Sequence, residues 1–379
     1  MQTKIRIHIV VLFLVCLLIS CTPGITAEDT SEIMPEVIPE STPESPPEVM
    51  TEESPVLPAY QEIPGVYLGT FHGVSSPSLT LFEKIGKGVA ISASYLNFSS
   101  AFPNGFLQGN AYVGRISLLT WEFMPGSTQR VAGYEGRVLE AIIDGLYDDV
   151  LTSWADGARA FGKPVFLRFG HEMNGDWYPW SGVKNGGGEM DGYGSPDRPD
   201  GPERYVDAFR YIHDFFTEQG ATNVLWVWCP NAPFAVMEQS LGSWNHAAAY
   251  YPGDEYVDWL CFDGYNWGSS AFGQQFNAQW QSFDEIFASS YAELQAINPE
   301  KPIMIGEFAS TEEGGDKAAW IMDTFDTIRQ DYPQIRALIW FHIAKETDWR
   351  INSSEEALQA YRQSVADDYW LSEYPGMVP

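Results

Sequence analysis

Residues 165–180 read VFLRFGHEMNGDWYPW, and the change of character within this stretch decides the fold. Its first five residues form an apolar run that stops at a His-Glu pair, and three aromatic residues follow within four positions. Such a run predicts a buried parallel strand whose C-terminal end carries a carboxylate. The aromatic side chains beyond it have flat apolar faces and polar edges, which suit the binding of sugar rings.

Eight apolar runs of this kind alternate with amphipathic segments from residue 63 onward. The runs are 66–70, 88–95, 113–120, 164–169, 223–229, 256–262, 302–306 and 335–341. Helices are predicted between them, among others at 137–161, 202–219, 283–297 and 318–332. This alternation predicts an α/β protein with a closed (β/α)8 TIM barrel. A doubly wound open sheet is the alternative, although no glycine-rich phosphate loop follows the first run.

In a TIM barrel the functional side chains lie at the C-terminal ends of the strands. The fourth run ends at Glu172 and the seventh at Glu307, so two glutamates are expected in one mouth. Tyr265 and Trp267 follow the sixth run, and Trp340 ends the eighth. Two carboxylates in an aromatic mouth are the groups required to hydrolyse a glycosidic bond.

Residues 1–21 are predicted to be an export signal, because Lys4 and Arg6 precede a short apolar stretch. The stretch ends in Leu-Ile-Ser before Cys21, which resembles the lipobox of bacterial lipoproteins and implies a lipid anchor on that cysteine. An ordinary secretory signal that contains a cysteine is the alternative. Both predict an exported protein, either extracellular or attached to the cell surface.

Residues 22–62 contain ten acidic residues, recurring proline and neither lysine nor arginine. Such a composition predicts a disordered, extended linker ahead of a catalytic domain at 63–379. The formal net charge of the whole chain is −30, which disfavours nucleic acid and anionic membrane surfaces as partners but not a neutral polysaccharide. Cys229 and Cys261 each end an apolar run, and they are expected either to pair or to remain buried free thiols.

The motif around Glu172 (His-Glu-Met-Asn-Gly, then Trp177) and the one around Glu307 (Ile-Gly-Glu-Phe), with Tyr265 between them, resemble glycoside hydrolase family 26. The resemblance implies a retaining (β/α)8 glycosidase in which Glu172 is the acid/base and Glu307 the nucleophile. Retention requires the two carboxylates to lie about 5–5.5 Å apart. The alternative for either glutamate is a structural salt bridge, and Arg168 is an available partner for Glu172.

The resemblance also implies supporting roles around the cleaved bond. His171 and Tyr265 are expected to support the active site, with Tyr265 as a hydrogen-bond donor to the nucleophile. Substrate-binding aromatic residues are expected at Trp177, Tyr178, Trp180, Trp267 and Trp340. No cofactor and no metal is expected, and the glycine-rich loop 182–201 is interpreted as a solvated wall of the cleft.

The family's members act on β-1,4-mannan, mixed-linkage β-1,3/1,4-glucan or β-1,3-xylan. Tyr-Pro-Trp at 178–180 and the motif at 263–268 are closer to the mixed-linkage glucanases, whereas mannanases are more frequent in the family. The substrate is therefore expected to be mannan or mixed-linkage glucan, with β-1,3-xylan as an alternative. Two further alternatives are an inverting hydrolase and a non-catalytic polysaccharide-binding surface lipoprotein, and a monomer is expected.

Overall fold

The computed structural model describes residues 60–73, 78–124, 134 and 137–377. The predicted signal, its Cys21 and nearly all of the predicted linker lie outside these residues. The strands are β1 Val66–Phe71, β2 Ile91–Asn97, β3 Ile116–Glu122, β4 Val165–Phe169, β5 Val224–Trp228, β6 Trp259–Asn266, β7 Ile303–Ser310, β8 Ile335–Phe341 and β9 Trp370–Leu371. The α-helices are α1 Ser78–Ile85, α2 Asn104–Tyr112, α3 Val138–Ile143, α4 Asp148–Phe161, α5 Asp200–Glu218, α6 Phe234–Leu241, α7 Phe283–Ile297, α8 Lys317–Asp331 and α9 Glu355–Ser364.

Strands β1 to β8 form one closed parallel barrel. Each strand pairs with the next in sequence order, and β1 pairs with both β8 and β2 to close the ring. The short β9 pairs in parallel with the first two residues of β1. The predicted (β/α)8 barrel is confirmed. The open sheet is wrong, because an open sheet has two unpaired edge strands, whereas here the first strand pairs with the eighth.

All eight apolar runs form strands, but strands β6 and β7 extend beyond the ends of their apolar runs. Strand β6 reaches Asn266 and β7 reaches Ser310, so Tyr265 and Glu307 lie within strands rather than beyond them. The predicted single helix 137–161 is wrong. It is divided into α3 and α4 by a turn in which Gly145 has φ +77°, a left-handed conformation that a continuous helix does not accommodate.

The alternation of side chains along each strand produces two apolar layers. Inward-facing residues fill the barrel, for example Ile91, Leu118, Phe166 and Met304. Outward-facing residues pack under the helices and form the larger core. Much of the aromatic content serves these layers, since eight tryptophans are almost fully buried: Trp121, Trp154, Trp180, Trp228, Trp259, Trp340, Trp349 and Trp370.

A disulfide and a hydrogen bond near residue 60 add to the contacts between the strands. Cys229, which follows β5, forms a disulfide with Cys261 in β6. Tyr60–Glu62, assigned from sequence to the end of the linker, form a 3-10 turn, and the carbonyl of Tyr60 accepts a hydrogen bond from Arg336. In the described part of the chain, no helix is long and apolar enough to cross a membrane.

Candidate active site

A buried ion pair at the C-terminal end of the barrel brings three strands together. The guanidinium of Arg168 in β4 donates through Nη1 to both oxygens of Asp263 in β6, at 2.8 and 2.9 Å. Its Nη2 donates to Oε1 of Glu307 in β7 at 2.7 Å. Arg168 therefore pairs with Glu307 and Asp263, which removes it as the proposed salt-bridge partner of Glu172.

A bulge in β7 directs Glu307 into the mouth. The pairing register with both neighbouring strands shifts between Ile305 and Phe308, so regular alternation is interrupted at Gly306 and Glu307. Bulges next to active sites commonly re-aim a side chain in this way. Gly306 leaves the space that the ion pair needs, because a Cβ there would lie 2.6 Å from Arg168 Nη1.

Glu307 is held from two sides. Arg168 donates to Oε1, and the hydroxyl of Tyr265 on the neighbouring strand β6 donates to Oε2. The ring nitrogen Nε2 of His171 lies 3.7 Å from the same Oε1. Hydrogen bonds thus fix the position of both oxygens of this buried carboxylate. Tyr265 is the hydrogen-bond donor to Glu307 that the sequence predicted.

Glu172 follows β4 in a strained backbone conformation. Its φ of +53° lies in the left-handed region, which is unusual for a residue with a side chain. The backbone is fixed there by hydrogen bonds from Glu172 N to the carbonyl of Cys229 at 2.7 Å and from Gly175 N to the carbonyl of Glu172 at 3.0 Å. The residue is 7% exposed, and its carboxylate accepts from Asn231 Nδ2 at 2.6 Å and from Trp177 Nε1 at 2.7 Å.

The environment of Glu172 favours its protonated form near neutral pH. Burial is the largest cause and the negative charge of Glu307 the second, and together they raise the pKa of Glu172 to about 7. The hydrogen bonds from Asn231 and Trp177 act in the opposite direction, because they stabilise the ionised form. Glu172 therefore exchanges a proton in the pH range where a general acid is most effective.

The Asn-Gly pair after Glu172 organises these two donors. The side chain of Asn174 donates to the carbonyl of Asn231 and accepts from its backbone nitrogen, both at 2.8 Å. A Cβ on Gly175 would lie 2.5 Å from the ring of Trp177, so only glycine allows the indole to reach Glu172. Asn231 was not predicted from sequence, although its position just after β5, beside the apolar run 223–229, was an available signal.

His171 is fully buried and neutral. Burial and the nearby charge of Arg168 lower the pKa of His171 well below its usual value. Its Nε2 lies 3.1 Å from the hydroxyl of Tyr178, and its carbonyl accepts from Trp180 Nε1 at 2.7 Å. His171 thus lies within the predicted site, beside Glu307.

Two of the predicted substrate-binding aromatic residues are buried away from a ligand. Trp340 faces outward from β8 and packs against Phe308, because its neighbours Ile339 and Phe341 take the other side of the strand. Trp180 is 0% exposed and stacks on Tyr178 with 4.3 Å between ring centroids. The predictions for Trp340 and Trp180 are therefore wrong, and both residues are core aromatics.

The other predicted aromatic residues have different degrees of exposure. Trp177 and Trp267 are partly exposed, whereas Tyr178 is buried at 5%. Trp267 contacts Trp349 edge to face, with 4.7 Å between ring centroids. Trp177 and Trp267 are therefore the members of the predicted set that are not buried.

Strands β2 and β3 contribute residues that sequence reasoning missed. The hydroxyl of Tyr95 in β2 accepts from Arg168 Nη2 at 3.1 Å, and Glu122 ends β3 on the inward side. Both lie at the C-terminal ends of strands that sequence analysis had recognised only as apolar runs. The period-two alternation of the strands was the signal that could have identified them.

Two groups of side chains in the described residues have the spacing of metal ligands, and neither suits a metal. His171, Asp263 and Glu307 lie close together, but the charges of the two carboxylates are already paired with Arg168. Cys229, Cys261 and Asp263 form the other group, in which the two sulfur atoms are joined in a disulfide.

A closed parallel barrel with two buried carboxylates at its C-terminal mouth, each with its own donors, is the architecture of the (β/α)8 glycoside hydrolases. The family model described as glycosyl hydrolase family 26 matches residues 117–334. The chain belongs to this family.

Known relatives cover most of this chain. Endoglucanase H of Acetivibrio thermocellus is 39% identical over 306 residues, which are 79% of this chain and 30% of that protein. Mannan endo-1,4-beta-mannosidase A and B of Caldalkalibacillus mannanilyticus is 28% identical over 248 residues, which are 65% of this chain and 39% of that protein. The chain thus spans less than half the length of these curated relatives.

Solved structures share the fold at low identity. The catalytic domain of an endo-beta-1,4-mannanase from Bacillus sp. JAMB-750 superimposes with a TM-score of 0.59 at 21% identity, over 83% of this chain and 89% of that chain. A Bacillus subtilis mannanase gives a TM-score of 0.55 at 19% identity, over 83% of this chain and 88% of that chain. These similarities concern the barrel fold alone.

Proposed function

We propose that the protein is a retaining endo-β-glycanase in which Glu172 is the acid/base and Glu307 the nucleophile. The observation that carries this proposal is that the two buried carboxylates have different hydrogen-bonding and electrostatic environments. Glu307 is paired with a guanidinium and oriented by Tyr265, whereas burial and a neighbouring negative charge raise the pKa of Glu172 to about 7. One group is thus suited to attack and the other to proton transfer.

In the first step, Glu172 gives its proton to the oxygen of the leaving sugar while an oxygen of Glu307 attacks the anomeric carbon. This forms a covalent glycosyl ester on Glu307, whose negative charge disappears. Since that charge is the second cause of the raised pKa of Glu172, its loss favours ionisation of Glu172. Glu172 then takes a proton from a water molecule, whose oxygen attacks the anomeric carbon. The bond between that carbon and Glu307 breaks, Glu307 leaves as a carboxylate, and the sugar is released with its original configuration.

Retention is favoured over inversion by the surroundings of Glu307. An inverting base must hold a water molecule between itself and the sugar, with the two carboxyl groups about 6.5–9.5 Å apart. Instead, Arg168 and Tyr265 fix both oxygens of Glu307, which suits a group that must align with one carbon atom. Family membership supports the same mechanism.

For the substrate we propose a mixed-linkage β-1,3/1,4-glucan, with β-1,4-mannan as the second candidate. The relative called endoglucanase H is 39% identical, against 28% for the mannosidase relatives, and the Tyr-Pro-Trp motif at 178–180 supports the same choice. Glucose and mannose units differ only in the orientation of the C2 hydroxyl, which a few hydrogen bonds distinguish.

Variants at the two glutamates test the proposal on a panel of barley-type mixed-linkage glucan, glucomannan, galactomannan and β-1,3-xylan. Glu307→Ala is expected to lose hydrolysis by about four orders of magnitude or more while it still binds the preferred polymer. Glu300→Ala, at an exposed carboxylate near the opposite end of the barrel, is the matched control and is expected to remain fully active. Unchanged hydrolysis by Glu307→Ala would contradict the assignment.

We also propose that the protein is exported and attached to a membrane through a lipid on Cys21, with the residues from 22 to the turn at Tyr60–Glu62 as a spacer. The lipobox-like sequence before Cys21 and the acidic, proline-rich composition of the spacer support this. Replacement of Cys21 by Ala is expected to move the protein from the membrane fraction to the soluble fraction. Retention of Cys21→Ala in the membrane fraction would argue against the lipid anchor.

A further inference from the structure

A third carboxylate, that of Glu122, faces the mouth of the barrel. In β3, Ile116 and Leu118 point into the barrel core, and Thr120 accepts hydrogen bonds from Arg168 at 2.8 and 3.0 Å. The period of two along the strand places Glu122 on the same side, one level above Thr120 and nearer to solvent.

Its electrostatic environment ties Glu122 to the candidate catalytic residues. Burial and the negative charge of Glu307 raise the pKa of Glu122 to about 7, while the charges of Arg168 and Lys345 act to lower it. Burial is the main cause of the raised pKa of Tyr178, and the charges of Glu172, Glu122 and Glu307 add to it. The geometry agrees, because the guanidinium of Arg168 contacts both Thr120, two residues before Glu122 in β3, and Glu307.

Glu122 differs from these two glutamates in its side-chain hydrogen bonding. Glu172 and Glu307 each receive hydrogen bonds on both oxygens. Within 60–73, 78–124, 134 and 137–377, no donor hydrogen-bonds to the side chain of Glu122 and no cation forms an ion pair with it. A half-buried carboxylate without donors is costly, so a purely structural role does not account for it.

We infer that Glu122 is a specificity-determining residue, whose carboxylate accepts hydrogen bonds from the hydroxyl groups of a neutral sugar unit beside the cleaved bond. Vicinal hydroxyls of a pyranose supply two donors, which match the two oxygens of one carboxylate. The inference rests on the proposed function. It also predicts discrimination against a uronic acid at alkaline pH, where Glu122 and Glu172 are ionised and repel a negatively charged sugar.

Binding measurements test Glu122 separately from catalysis. In a Glu307→Ala background, which prevents hydrolysis, affinity electrophoresis and calorimetry compare Glu122→Ala, Glu122→Gln and the control Glu300→Ala on the four polysaccharides of the panel. Loss of the charged acceptor is expected to raise Kd for the preferred polymer about tenfold in Glu122→Ala and less in Glu122→Gln, which keeps one acceptor oxygen. The control is expected to bind as its parent does.

Thermal unfolding separates this role from a structural one. Removal of an unpaired, half-buried carboxylate is expected to leave the melting temperature unchanged or slightly higher, whereas a structural carboxylate would lower it. In the active background, Glu122→Gln is expected to raise KM more than it lowers kcat.

The inference is overturned if both Glu122 variants bind within twofold of their parent, or if no polysaccharide of the panel binds the parent at all. Failure of the proposed function has another signature, namely a folded wild-type protein that hydrolyses none of the four polymers. In that case the binding comparison still decides the role of Glu122.

Discussion

Replacement of Trp177 by Phe is expected to shift the alkaline limb of the pH–rate profile upward. The indole Nε1 donates to Oε2 of Glu172 at 2.7 Å, and this hydrogen bond lowers the pKa of the carboxyl because it stabilises the ionised form. Phenylalanine keeps an aromatic ring and removes only the donor. The proton on Glu172 is therefore retained to higher pH in the variant.

The size of the shift follows from the strength of one hydrogen bond to a charged group. Such a bond contributes about 1.5–3 kcal/mol, and about 1.4 kcal/mol corresponds to one pKa unit. Trp177 is partly exposed, so water replaces some of the lost interaction. The lower end of the range applies, and the pKa of Glu172 is expected to rise from about 7 to about 8.

The assay is kcat/KM against pH from 5 to 10 on a soluble oligosaccharide, because this ratio reports the free enzyme. Trp244→Phe is the matched control, since that indole donates to the carbonyl of Leu241 rather than to a carboxylate. The control is expected to keep the wild-type profile. An alkaline limb of Trp177→Phe that stays in place or moves to lower pH, in a folded variant, would refute this account of Glu172.

Two further predictions concern stability. Arg168→Met leaves Asp263 buried without its counter-charge and is expected to lower the free energy of unfolding by about 3–5 kcal/mol in urea titrations; a loss below about 1 kcal/mol would contradict the importance of this pair. Glu172 and Glu122 both have pKa values raised to about 7 in the folded protein, against about 4.5 in the unfolded chain. The stability that comes from their protonated forms is therefore complete below about pH 4.5 and is lost as pH rises through 7. The free energy of unfolding is therefore expected to decrease between pH 5 and 8, and the double variant Glu172→Gln/Glu122→Gln is expected to flatten that decrease; an unaltered slope in the double variant would count against both shifts.

The barrel could be predicted because its information is local. Each strand is an apolar run, and each run alternates with a helical period, so eight repeats are visible without knowledge of the three-dimensional contacts. Glu172 and Glu307 stand at the ends of such runs. The break between α3 and α4 was missed because an amphipathic period continues across Gly145, whose backbone conformation is not encoded in hydrophobicity.

The direction of individual side chains was less predictable from the sequence than the barrel itself. Trp340 lies at a strand end, as a ligand-binding aromatic would, but the side of β8 that it occupies depends on which residue of the strand faces the barrel axis. Glu307 shows the opposite case, since the bulge at Gly306 turns inward a side chain that regular alternation would place outside. The sequence indicated that Asn231 and Arg168 stand near strand ends, but which glutamate each of them contacts depends on pairings between strands far apart in the chain.

The central claim is that Glu307 forms a covalent bond to the sugar while Glu172 transfers the proton. A 2-deoxy-2-fluoro-β-glycoside of the preferred sugar, with a good leaving group, slows the second step and traps the intermediate. Mass spectrometry of the labelled and digested protein is expected to find one fluoro-sugar on the peptide that contains Glu307, and no label in Glu307→Ala. A label on another residue, or an active enzyme that releases the α-product and takes up no label, would contradict the claim.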